Sequence, residues 1–147
     1  MNCSREFFFT GIADALNPAV FVLEILESVE IDDELVAVVR ELKKKGFRIA
    51  ADDFVPDEEG FARLAKVMDL LSVCKLEWPA VKDAKALQHA VGVFHGKGIQ
   101  VLAEKVETEA DFDLCQKAGV DLFQGYFYAK PEVIKSGKLD SNTAGVL

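Results

Sequence analysis

Short continuous apolar runs alternate along the chain with longer segments whose apolar residues recur every three or four positions. The first pattern reads as buried strands and the second as helices with one face on a core. Glu6-Phe7-Phe8-Phe9-Thr10 reads as a short strand, and Gly11 to Leu16 as a turn of helix closed by Asn17-Pro18. Ala19 to Glu27 is a second apolar strand running into carboxylates. Asp32 or Asp33 caps the next helix, which carries Leu35, Val38, Val39 and Leu42 on one face and stops at Gly46. Arg48 to Phe54 is a strand ending in adjacent acids, Asp52 and Asp53. Val55 to Gly60 follows as a loop, then a helix from Phe61 to about Leu71. Ser72 to Glu77 is a strand stopped by Trp78-Pro79, and Lys82 to His95 is a long helix. Ile99 to Glu104 is a strand, and Thr108 with Asp111 forms a capping box for a helix that ends at Gly119. Val120 to Gln124 is the last clear strand. Residues 1–135 form one domain, and residues 136–147, small and polar, form a flexible C-terminal tail.

Regular alternation of strand and helix specifies an α/β fold with a mostly parallel sheet. Five or six strands are visible, fewer than the eight of a closed (β/α)8 barrel. The sheet is therefore either open or an incomplete TIM-type barrel without its first unit or units. In both cases functional groups collect at the carboxyl ends of parallel strands. Those ends carry Glu24, then Asp52 with Asp53, then Lys75 with Glu77, then Glu104 with Glu107 nearby, then Gln124. Gly46 and Gly98 each stand six residues before a carboxylate, Asp52 and Glu104, so two units share one layout. Glu24, Asp52 and Glu104 on one rim suit a hard divalent cation with oxygen ligands. Lys75 among them suits a phosphate oxygen or a water, and Gln124 adds an amide.

The net charge of −8 argues against a nucleic-acid backbone as the partner, because no basic patch is present. Lys43-Lys44-Lys45 falls at a helix end, where it complements the helix dipole. No apolar run approaches 18 residues, so no membrane span is expected. The three cysteines, Cys3, Cys74 and Cys115, form no metal or disulfide pattern, and the cytoplasm is the default location. His89 and His95, six apart on a helix, lie on different faces and make no paired site.

Five stretches resemble, in order, the motifs of EAL domains: Leu23-Glu24-Ile25-Leu26-Glu27, Ala51-Asp52-Asp53-Phe54, Lys75-Leu76-Glu77, Ala103-Glu104-Lys105-Val106-Glu107-Thr108, and Gln124-Gly125-Tyr126-Phe127-Tyr128-Ala129-Lys130-Pro131. EAL domains are (β/α)8-barrel phosphodiesterases that hydrolyse cyclic di-GMP to pGpG with Mg2+ or Mn2+. The resemblance spans about residues 19–135, and its last two motifs look most like EAL domains that precede an HDOD domain. It implies that Glu24, Asp52 and Glu104 are metal ligands. Asp53 is implied as a further acid on metal or water, Lys75 as the lysine orienting that water, and Gln124 as a glutamine lining the site. Glu27 matches a glutamate that anchors the loop after the Asp-Asp strand.

Departures from the family pattern set the functional expectation. No Glu-Ala-Leu occurs, and Asp14-Ala15-Leu16 lies only ten residues before Glu24, too close to be that strand. The family's metal-binding Asn is expected at the end of the Phe7-Phe8-Phe9 strand, where Phe stands instead. Val55 to Gly60 replaces the Gly- and Ser-rich loop that couples dimerisation to metal binding in active members. The expected function is thus a degenerate, catalytically inactive EAL-type module in bacterial signalling that regulates or binds a protein partner. The alternatives are an active Mg2+- or Mn2+-dependent phosphodiesterase and a cyclic di-GMP receptor without turnover. An incomplete barrel leaves strand edges and an apolar interior to cover, which predicts a homodimer.

Overall fold

The structure is a computed structural model that describes residues 1–81, 83–127 and 130–135. Seven strands form one sheet in chain order: β1 (Asn2–Cys3), β2 (Val22–Ile25), β3 (Arg48–Phe54), β4 (Val73–Glu77), β5 (Gln100–Glu104), β6 (Leu122–Phe127) and β7 (Lys130–Lys135). The first six are parallel, and β7 returns antiparallel on β6. Helices α1 (Arg5–Phe9), α2 (Asp33–Lys44), α3 (Glu58–Leu64), α4 (Trp78–Val81), α5 (Ala84–Gly96) and α6 (Glu109–Ala118) connect the strands. This is the α/β architecture expected, a partial barrel of βα units. The expected tail, residues 136–147, lies outside the described residues.

Three local expectations are corrected. Phe7-Phe8-Phe9 is helical, because Ser4 caps the segment by accepting from the Phe7 amide at 3.4 Å and Phe7 and Phe8 turn into the core. The strand before β2 is Asn2–Cys3 instead, with Asn2 in register with Glu24 and Cys3 with Ile25. The loop after β3 is shorter than expected. Asp57 accepts from the Gly60 amide at 2.7 Å and starts α3 at Glu58, with two acids in the first turn favouring its dipole. Trp78-Pro79 does not simply stop β4 but opens the short helix α4, with Trp78 buried.

Strand alternation divides the sheet into two faces. Outward residues Leu23, Ile25, Ile49, Ala51, Cys74, Leu76, Val101, Ala103 and Phe123 join the main core with Leu35 and Val39 of α2, Leu87 and Phe94 of α5 and Phe112 of α6. Inward residues Ala50, Val73, Leu102 and Leu122 form a second, smaller cluster with Val22 against it. All four are buried within the single chain, so this apolar layer needs no second copy to cover it. Two residues further along each strand, the inward position becomes polar: Glu24, Asp52, Lys75, Glu104 and Gln124. An aliphatic floor therefore carries a charged rim, and that switch positions the site.

Candidate metal centre

Lys75 stands at the middle of the rim. Its ammonium donates to Glu24 Oε1 at 2.9 Å, pairs with Glu104 Oε1 at 2.7 Å, and lies 3.9 Å from Asp52 Oδ1. These four side chains keep only 14–17% of their surface exposed. Burial pulls the ammonium's pKa down, but the hydrogen bonds and charges of Glu104 and Glu24 outweigh it, so the net shift is upward. Lys75 is thus a fixed cation among acids.

Asp52 and Asp53 are neighbours in sequence, and a regular strand would turn them to opposite faces. The register between β3 and β4 instead slips: Ala51 pairs with Cys74 and Phe54 with Leu76, so the two acids occupy a bulge. Asp53 takes φ 49°, a left-handed conformation that Asp tolerates better than most residues. The bulge swings Asp53 back towards the rim, and one carboxylate oxygen each of Asp52, Asp53 and Glu104 lie within 4.8 Å of one another. Both aspartate pKa values are raised. For Asp52 burial is the main cause, opposed by Lys75 and reinforced by Asp53 and Glu24. For Asp53 burial again leads, followed by Glu27, Glu104 and Glu77. Three converging carboxylates with an excess of negative charge form a hard, all-oxygen donor set of the kind Mg2+, Mn2+ or Ca2+ takes.

The remaining expected residues sit around this centre. Gln124 is in register with Glu104 on the same face and is exposed. Glu27 is exposed just beyond β2, within electrostatic reach of Asp53 and Arg63. α3 is tied back to the end of β2 by Arg63, whose Nη2 donates to the Leu26 carbonyl. Three residues not singled out from the sequence also belong here. Asn2 shares the rim face through its register with Glu24, Arg63 backs the acid pair, and Lys105 pairs with Glu77 at 2.7 Å. A two-residue strand at a chain end offers no apolar run to signal Asn2.

The EAL domain family matches residues 3–131 of the chain. The chain belongs to the EAL family. A relative in Bacillus subtilis, the uncharacterised protein YuxH, is 32% identical over 146 residues, covering 97% of this chain and 35% of that protein. The cyclic di-GMP phosphodiesterase CdgJ of Vibrio cholerae is 38% identical over 117 residues, covering 78% of this chain and 26% of CdgJ. The chain therefore spans about a third or less of the length of these EAL relatives. Among solved structures, the EAL-domain protein YkuI of Bacillus subtilis, in complex with cyclic di-GMP and calcium, superposes with TM-score 0.71 at 20% identity, covering 95% of this chain and 38% of YkuI. Klebsiella pneumoniae BlrP1, also a calcium and cyclic di-GMP complex, gives TM-score 0.71 at 24% identity over 90% of this chain and 38% of BlrP1. These likenesses show a shared EAL barrel fold. Among the described residues no helix is long and apolar enough to cross a membrane.

Proposed function

We propose that this chain is an EAL-type signalling module that holds Mg2+ or Mn2+ and cyclic di-GMP on its rim and does not turn the nucleotide over within these 147 residues. The observation that carries the reading is the convergence of Asp52, Asp53 and Glu104 beside Lys75 on a buried aliphatic floor. Glu24, Asp52, Asp53 and Glu104 would hold the cation, with the Asn2 amide beside Glu24. A divalent ion held there would neutralise phosphate charge. Lys75 fixes the rotamers of Glu24 and Glu104 by bonding both, and Gln124 stands open beside Glu104 to meet the ligand. Glu27 and Arg63 steady the segment after the acid pair.

One feature supports the absence of turnover: Asp57, Glu58 and Glu59 fill the segment after Asp53 that is Gly- and Ser-rich in active members. One observation favours the second reading, an active phosphodiesterase giving pGpG: an asparagine does stand beside Glu24, Asn2 of β1 being in register with it. Incubation with cyclic di-GMP and Mn2+ separates the two. Formation of pGpG that is lost in Asp52→Asn would overturn the preferred reading. A protein partner and a homodimer are proposed as well. Sedimentation as a monomer at micromolar concentration counts against the dimer.

A further inference from the structure

We propose that Lys105 is a phosphate-binding residue of the rim, its ammonium taking a non-bridging oxygen of a phosphodiester bound beside the carboxylates. The inference rests on the ligand class proposed above. Lys105 directly follows Glu104, so regular alternation would aim it at the helix-covered face with Ala103. It does not go there. Lys105 adopts φ 58°, in the left-handed region that glycine enters freely and lysine does not, and its Nζ reaches Glu77 Oε1 at 2.7 Å.

The backbone at this point is held from the other side. The Val106 amide donates to the Gln124 carbonyl at 3.4 Å, and Val106 is wholly buried. Gly125 packs so closely that a Cβ there would lie 2.2 Å from the Val106 carbonyl oxygen. Lys105 therefore cannot relax by shifting its loop, and its conformation is imposed by β6. Strain that the surroundings impose on a non-glycine residue at a strand end points to a role for the side chain. The exposed ion pair with Glu77 contributes too little to account for it.

Charge points to the ligand. Lysine is cationic at neutral pH, and the Lys105 ammonium lies among the rim acids, paired with Glu77 at 2.7 Å. Lys75 is enclosed by carboxylates and 14% exposed, whereas Lys105 keeps 62% of its side chain open. Of these two rim ammoniums, Lys105 is the one an arriving phosphate meets. A phosphodiester approaching Glu77, Glu104 and Asp53 is otherwise repelled, and exchanging Glu77 for a phosphate oxygen needs only side-chain rotation.

The test compares wild type with Lys105→Gly, Lys105→Gln and Lys105→Arg by calorimetric titration of cyclic di-GMP in Mn2+, of Mn2+ alone, and by thermal melting. Gly and Gln are expected to bind cyclic di-GMP roughly tenfold more weakly, as loss of one charge-assisted hydrogen bond implies. Arg is expected to restore most of the affinity. Mn2+ binding should not weaken, and Lys105→Gly should melt no lower than wild type because glycine suits φ 58°. If wild type binds and the Gly and Gln variants match it, the role of Lys105 is overturned while the ligand class stands. A parallel fall in Mn2+ affinity overturns that role as well, since Lys105 would then act on the carboxylates. If wild type binds no cyclic di-GMP, the ligand class fails and this inference falls with it.

Discussion

Replacing Lys75 with Met keeps the volume of the side-chain stem and removes the ammonium that lies 2.9, 2.7 and 3.9 Å from Glu24, Glu104 and Asp52. Removing one partner of a buried ion pair costs about 3–5 kcal/mol, because the charge left behind has lost its solvation and its counter-ion. Here the groups retain 14–17% exposure, so water recovers part of the loss and the lower end, about 3 kcal/mol, applies. For a chain of 147 residues each kcal/mol shifts Tm by about 2–4 °C, which gives a fall of about 6–12 °C at pH 7. The pH dependence has a definite sign. Lys75 is held above its ordinary 10.5, so its contribution is fully present at neutral pH and is lost only as pH rises through the folded value. Mn2+ should also raise Tm more in the variant than in wild type, since the competing ammonium is gone. Melting curves followed by circular dichroism, with and without Mn2+, measure all three effects. A variant melting within about 2 °C of wild type at pH 7 would refute the reasoning, because the rim would then hold its acids apart without Lys75.

Three further substitutions test the acid pair. Asp52 and Asp53 are held above 3.8, first by burial, so the folded state keeps their protons longer than the unfolded state, and each costs stability as pH rises from 3.8 through its folded value. Asp52→Asn should therefore raise Tm at pH 7, flatten that part of the stability profile and abolish Mn2+ binding; a lower Tm would contradict the assigned sign. Asp53→Asn keeps a residue that tolerates φ 49°, whereas Asp53→Val does not, and urea denaturation should show Val about 1–3 kcal/mol less stable than Asn. Equal stabilities would mean that the bulge relaxes freely.

The period of two along β2, β3, β4 and β5 makes most of this centre legible in the sequence, since aliphatic residues give way to Glu24, Asp52, Lys75 and Glu104 towards the carboxyl end of each strand. Helix ends are legible where a cap is explicit, as at Asp32, Thr108 and Gly119. Phe7-Phe8-Phe9 misleads because an apolar triplet has no period of its own; Ser4 decides for helix. Reading that triplet as a strand hides Asn2, whose place is set by pairing with β2 over two residues rather than by any local pattern. The convergence of Asp53 with Glu104 depends on a register slip against β4, a long-range property that adjacency in sequence does not encode. β7 carries Pro131, which reads as a strand breaker until the strand is seen at the sheet edge.

The rim of Glu24, Asp52, Asp53 and Glu104 is proposed to take a divalent cation and cyclic di-GMP together. Calorimetric titration of cyclic di-GMP into the protein with Mn2+ and again with a chelator, with pGpG followed in the same samples, tests it most directly. Saturable binding that requires Mn2+, vanishes in Asp52→Asn and leaves the nucleotide intact is the predicted result. No binding with Mn2+ present, or binding of equal strength with the chelator, would contradict it.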